Sequence, residues 1–196
     1  MLGASTCEAR MDLTQLQQQL TGLAHYPLEQ WTPPFCGAIP IRIDRDGRWF
    51  YQQSPIERQP LVKLFAAVLC RDEHGYVLKT PVEKVQIQVD DAPFVLIDAE
   101  WQPSTAGPLL QVVSNLGQIY LISAEYPVKL QAEPLSGELL PYLQLPRGLS
   151  AKFSRSLFYR LAELASSEAS RSAVGMVDYV IYSGSYRCVL GQSEAS

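Results

Sequence analysis

Histidine and cysteine are scarce in this chain, with two and four copies in 196 residues, and neither type clusters. Cys7, Cys36, Cys70 and Cys188 lie far apart with no Cys-x-x-Cys pair, so zinc-finger spacing cannot be assembled from sequence neighbours. Dispersed thiols of this kind read as reduced and mostly buried, in a cytoplasmic protein. His25 and His74 sit in loop-like contexts, and no His-Glu-x-x-His pair, Gly-x-Ser-x-Gly elbow or phosphate-binding loop occurs. No catalytic residue, metal or cofactor is therefore expected. Positive charge is in deficit as well, with 16 Lys and Arg against 20 Asp and Glu. Binding nucleic acid by broad phosphate neutralisation needs the opposite balance. The start, MLGASTCEARMDLTQ, has no basic segment followed by an apolar one and reads as no signal peptide. The longest apolar run, Leu64 to Cys70, is far short of the roughly 20 residues of a membrane-spanning helix.

What is abundant is apolar surface. Hydrophobic residues at 47% and charged residues at 18% suit a globular chain that folds alone. Leucines at 13, 16, 20 and 23 form the stripe of an amphipathic helix beginning at an Asp12 cap. The proline-rich stretch after it completes an arm and linker over residues 1–37. "IPIRID" and "WFYQ" flank "RDG" as a hairpin. Ser54-Pro55-Ile56-Glu57 has the form of a capping box around an isolated turn, with Ser54 as the cap. Pro60 would cost about 3 kcal/mol inside a helix, so the main helix starts no earlier than Arg58. Leu61, Leu64, Phe65, Val68 and Leu69 give that helix one apolar face.

Short β-rich segments follow: "YVLK", "EKVQIQV", "PFVLID", "LLQVV", "QIYLIS" and "PVKLQ". Their spacing favours curled, mostly antiparallel sheets. A second helix is read from "SAKFSRSLFYRLAELASSE", between the strand "LPYLQLP" and "MVDYVIYSGSYRCVLG". Setting Arg58 against Arg155 aligns Leu61 with Phe158, Leu64 with Leu161 and Val68 with Ala165, and "YVLKTP" with "YVIYSG". The expected fold is α+β, with duplicated strand-helix-strand halves over residues 38–100 and 101–196.

Several side chains carry two readings. Arg58 stands at a helix start, where a cation opposes the macrodipole, so it needs compensation. That is either an ion pair with Glu57, Asp90 or Asp91 or a planar fork for a carboxylate or phosphate. Arg155 takes the same pair of readings. Trp49 and Tyr51 alternate on one strand and offer core packing or a stacking wall. In Thr80-Pro81-Val82-Glu83-Lys84 an inward charge needs a partner, and Glu83 is expected to pair with an arginine. Asp90 and Asp91 read as a solvated turn whose carboxylates point to opposite faces. Between Leu139 and Ala162 the charged residues are all cations: Arg147, Lys152, Arg155 and Arg160. They focus potential on an anion, or complement the acidic segment from Asp90 to Glu100.

Gly47-x-Trp49-x-Tyr51, Ser54-Pro55-Ile56-x-Arg58, Leu61-Val62-x-Leu64-Phe65, Thr80-Pro81-Val82-Glu83-Lys84 and Asp91-Ala92-Pro93-Phe94, in this order, resemble the bacterial Domain of Unknown Function 1285 family. "GLSAKFSRSLFYRLAELA" extends the resemblance into the second half. It implies a duplicated α+β core, a carboxy-terminal half similar to pleckstrin-homology folds, and a cleft where the halves meet. It implies no established activity, with ligand binding and a role in signal transduction attached as suggestions. The function expected is a non-catalytic, regulatory protein holding a small non-peptide, anionic ligand. Trp49, Tyr51, Ser54, Arg58, Thr80, Glu83 and Lys84 would form one wall, approached by Lys152 and Arg155. The alternatives are an adaptor for a signalling protein, and a hydrolase using Glu83 or Asp91 as base.

Overall fold

Alternating apolar and polar residues through the middle of the chain become strands in the computed structural model, which describes residues 13–21, 26–105 and 107–195. Cys7, Asp12, Leu23 and His25 lie outside the described residues. The leucine stripe forms α1 (Leu13–Leu20), with Leu16 and Leu20 fully buried. The chain divides into two units at Asp90 and Asp91, earlier than the boundary read at residue 100, and residues 45–47 belong with the second.

In the first unit β1 (Phe35–Ile43), β2 (Trp49–Tyr51) and β3 (Ser54–Pro55) form an antiparallel meander. Then come α2 (Gln59–Ala67) and a second meander of β4 (Leu69–Asp72), β5 (Gly75–Lys79) and β6 (Lys84–Val89). β6 runs parallel to β1, giving one sheet in the order β3-β2-β1-β6-β5-β4. Ile41, Ile43, Trp49, Val85 and Ile87 are its buried face, and Leu61, Val62, Phe65 and Ala66 are the buried face of α2. The rings of Trp49 and Phe65 lie 6.3 Å apart. Trp49 is thus core rather than a stacking wall.

The second unit repeats the plan. β7 (Phe94–Gln102), β8 (Leu109–Ser114) and β9 (Ile119–Leu121) are followed by β10 (Val128–Ala132), β11 (Leu139–Leu145) and β12 (Leu149–Phe153). β12 is parallel to β7, and the order β10-β11-β12-β7-β8-β9 is the first sheet's order read from the other end. After β12 come α3 (Arg155–Ala162) and a three-stranded antiparallel sheet of β13 (Ser166–Ala169), β14 (Met176–Ser183) and β15 (Tyr186–Glu194). The fold is α+β, built mostly from strands in curled sheets, with a duplicated two-domain arrangement. The pleckstrin-homology likeness of the second half stays an expectation.

The repeat read by setting Arg58 against Arg155 is not the duplication of the sheets: α2 lies between β3 and β4 whereas α3 follows β12, and "YVLKTP" falls on β5 where "YVIYSG" falls on β14. Arg58 caps α2 and Ser154 caps α3. Pro60 falls in the first turn of α2, as its missing N–H requires. Ser54 caps nothing: it is an exposed residue of β3 paired with Tyr51. "SAKF", read as the start of a helix, belongs to β12, with Leu149, Ala151 and Phe153 buried at period two. Cys70 and Cys188 form no disulfide, but Cys36 is disulfide-bonded, so the reading of all four as reduced fails there. Burial pushes the Cys188 thiol up to about 12.

The caps give a direct test. Ser154 Oγ accepts from Leu157 N at 3.3 Å, so Ser154→Ala costs about 1 kcal/mol by urea unfolding. Ser54→Ala costs less than about 0.5 kcal/mol. The reverse ranking would restore Ser54 as a cap.

Candidate functional site

The first unit uses most of its candidate residues structurally. Thr80 is fully buried, and its Oγ1 accepts from Glu83 N at 3.0 Å while its own N–H donates to Glu83 O at 2.9 Å. The segment is a side-chain-locked turn between β5 and β6, not a ligand wall. Glu83 accepts from Gln19 Nε2 on α1 rather than pairing with an arginine. Lys84 Nζ reaches Asp72 at 2.6 Å and Glu73 at 3.4 Å, and the hydrogen bond to Asp72 raises its pKa above the usual lysine range. Tyr51 is half-buried on the Trp49 face of β2. Arg58 is exposed, with no side-chain capping bond, and two of its three expected partners, Asp90 and Asp91, are engaged elsewhere. Asp90 pairs bidentately with Arg42, and Asp91 belongs to the second unit. His74 stacks on Phe35, centroids 4.0 Å apart.

The second unit brings Lys152 and Arg155 together on one cavity of about 760 Å³. Its walls come from the end of β12, the first turns of α3, the β10–β11 loop and residues 45–46. Lys152 Nζ lies 2.9 Å from Asp91 Oδ2, and Tyr142 Oη donates to Asp91 Oδ1 at 2.8 Å. The Asp91 side chain is 2% exposed, so the expectation of a solvated carboxylate is wrong. The local electrostatics follow from burial. A carboxylate removed from water must be compensated, and here a cation and a hydroxyl do it.

Arg45 and Glu133 form a second neutralised pair, at 3.3 Å. Glu133 Oε2 also accepts from Ser136 N at 2.7 Å and Leu135 N at 3.1 Å, tying the β10–β11 loop into a fixed wall. These bonds, that from Ser136 N foremost, hold the Glu133 carboxyl below its usual range. Asn115 Nδ2 donates to Gly47 O at 3.1 Å and its Oδ1 accepts from Val95 N at 3.2 Å, which fixes residues 45–47 against β7. Arg155 differs from the other basic residues. Arg160 binds Asp98 at 2.6 Å, whereas Arg155 is exposed at the head of α3 with no ion-pair partner among the described residues. The acidic-segment reading is thus right for Lys152 and Arg160, and Arg155 is left over.

Sequence reasoning missed Arg45, Glu133, Phe158 and Tyr159, which also line the cavity. Phe158 and Tyr159 were legible as helix residues, but not as a half-buried and an exposed ring 5.8 Å apart on one cavity. Glu133 carried a signal, since Glu-Pro-Leu-Ser-Gly is a turn sequence whose leading acid can accept from the amides it precedes. Among the described residues no group of metal-ligating side chains is assembled, and no helix is long and apolar enough to cross a membrane.

A family model described as "Domain of unknown function (DUF1285), N-terminal domain" matches residues 26–92, and one described as "Protein of unknown function (DUF1285), C-terminal domain" matches residues 93–184. The chain belongs to the DUF1285 family. The family's internal boundary falls beside the division at Asp90 and Asp91. A DUF1285 protein from Silicibacter pomeroyi DSS-3, known from a crystal structure, is 36% identical with a TM-score of 0.78, over 92% of this chain and 94% of that one. Another from Shewanella baltica OS155 is 30% identical with a TM-score of 0.51, over 64% of this chain and 91% of that one. No curated protein matches.

Two outcomes follow for this DUF1285 site. Lys152→Ala strands a buried carboxylate and destabilises by about 3 kcal/mol, while Lys152→Met with Asp91→Leu recovers most of the loss in denaturant midpoints. The folded pKa of Glu133 lies below its unfolded value, so its contribution is present above that unfolded value and is lost as pH falls through the folded one. Exchange protection of the Leu135 and Ser136 amides persists at about pH 6 and is lost only as the pH falls below the ordinary glutamate value of about 4.3 and through the lower folded one. Protection that does not change over that range would remove Glu133 as the tie.

Proposed function

We propose that this protein is a non-catalytic, regulatory ligand-binding protein, and that the cavity of the second unit holds a small non-peptide anion with an apolar or aromatic body. The observation that carries this is Arg155, an exposed guanidinium without an ion-pair partner among the described residues, on a cavity of about 760 Å³. A planar fork of donors suits a carboxylate or phosphate. Arg45 and Lys152 add little net attraction, since Glu133 and Asp91 neutralise them. Phe158 and the exposed Tyr159 lie in the same lining and offer ring faces for an apolar body. A volume of this size is ordinary for a small-ligand site. Glu138, on the opposite loop, would repel the anionic head and favours its placement at Arg155.

A thermal-shift and titration panel of nucleotides, cyclic dinucleotides, phosphosugars and aromatic carboxylates tests the reading. A ligand at about 100 times its dissociation constant adds about 2.7 kcal/mol to stability. The shift is lost in Arg155→Ala, kept in Arg58→Ala, and enlarged in Glu138→Gln. A shift that survives Arg155→Ala would place the ligand elsewhere. No shift with any compound, together with stoichiometric capture of a protein partner, would favour the adaptor reading.

A further inference from the structure

The first unit carries a separate groove of about 900 Å³ on the face of its sheet that is turned away from the core side chains. Strand alternation dictates its lining. Ile41 and Ile43 of β1, Trp49 of β2 and Val85 and Ile87 of β6 are buried, so Arg42, Phe50, Gln86 and Gln88 emerge on the other face. The register sets them side by side, with Arg42 opposite Phe50 on one flank and opposite Gln88 on the other. The end of the groove is the two-residue loop of the β2–β3 hairpin, Gln52 and Gln53.

That loop is strained. Gln52 has φ 47° and Gln53 has φ 71°, the left-handed pair a type I′ hairpin turn requires. Asn-Gly meets the requirement easily and Gln-Gln does not, because a Cβ in this region crowds the following carbonyl. Strained backbone kept against an easier alternative is a mark of function, here at two side chains that line a groove.

The groove has a defined chemistry. Its cation is cancelled, because Arg42 Nε donates to Asp90 Oδ1 at 3.0 Å and Nη2 bonds Oδ2. Gln88 Nε2 donates to Asp90 Oδ1 at 3.0 Å and Gln86 Nε2 to His74 O at 2.6 Å, so both amides are oriented with their carbonyl oxygens still able to accept. Gln52 and Gln53 add exposed amides, each with donors and acceptors, and Phe50 adds a half-buried ring. A free anion or cation gains no net charge partner here. A hydroxyl, which both donates and accepts, matches an amide, and the C–H face of a sugar ring matches Phe50. Over Ile41–Ile43 the backbone groups of β1 pair with β2 and β6, so beside Arg42 and Phe50 the side chains do the recognising. We infer that this groove binds a neutral saccharide.

The test uses the full chain with four free neutral disaccharides (maltose, cellobiose, trehalose and diacetylchitobiose) by calorimetry, and insoluble cellulose and chitin by co-sedimentation. Binding of a free disaccharide supports a small-molecule source, and retention only on a polymer supports a glycan source. The decisive variant is Gln52→Asn with Gln53→Gly. Relief of strain raises its Tm by roughly a few degrees, so unfolding cannot explain a loss of function. Binding nevertheless falls at least about tenfold, and Phe50→Ala lowers it as well. A wild-type protein that binds none of these probes, or a turn variant that gains stability with binding unchanged, would overturn the inference.

Discussion

Each six-stranded sheet of this protein depends on one parallel strand pair that no hairpin joins. Antiparallel neighbours are held by their own turns, whereas β1 with β6 and β7 with β12 must be brought together from distant parts of the sequence. Parallel pairing is also somewhat weaker per residue. Two adjacent carboxylates meet both demands. Asp90 follows β6 and takes hold of Arg42 on β1, and Asp91 precedes β7 and takes hold of Lys152 on β12. Adjacent residues of the bend between β6 and β7 thus each hold a strand of one sheet. Arg42 is half-exposed and gains little from its pair alone, whereas Asp91 is buried and cannot do without its partners. The second clamp is therefore the stiffer, and it is the one beside the cavity.

The same topology with its helix placed differently accounts for the contrast between the units. In the first, α2 connects the two meanders and supplies Phe65 against Trp49. In the second, the meanders are joined by the short segment after β9, and the helix is postponed until β12 has ended. The head of α3 then opens directly from a strand, with Ser154 satisfying Leu157 N. Residues next to that junction, Lys152 on the strand and Arg155 on the helix, are brought to one cavity by the chain's own continuity. The two units share their sheet order, and only in the second does the helix follow the last strand of the sheet, where its head lines the cavity.

Much of this was readable in the sequence, and the failures have local causes. The strands β5 to β11 were visible from alternation and punctuation, and Pro60 set the start of α2 correctly because its missing N–H leaves few alternatives. Ser54-Pro55-Ile56-Glu57 misled because a capping box is a local pattern, while Ser54 is held by a cross-strand partner, Tyr51, through a turn no propensity would favour. "SAKF" misled for the opposite reason: alanine and lysine suit a helix, but burial at Leu149, Ala151 and Phe153 imposes period two. The fate of Asp91 could not be read at all. Its burial depends on Lys152 and Tyr142, both more than fifty positions away.

Charge accounting finally separates the two arginines that seemed equivalent. Arg58 and Arg155 both stand at helix starts, where a cation is mildly unfavourable. Neither is offset by a carboxylate among the described residues. Their surroundings differ. Arg58 follows an edge strand and projects from the surface with exposed residues on both sides in sequence, where water compensates it at little cost. Arg155 shares its cavity with two pairs already neutralised, two aromatic side chains and the carboxylates of Asp46 and Glu138, and it is the lining cation without an ion-pair partner among the described residues. An unneutralised charge beside a partly dry wall acts more strongly than the same charge in open solvent. The sequence placed both arginines alike, and only the neutralisation of their neighbours singles out Arg155 for the proposed anion site.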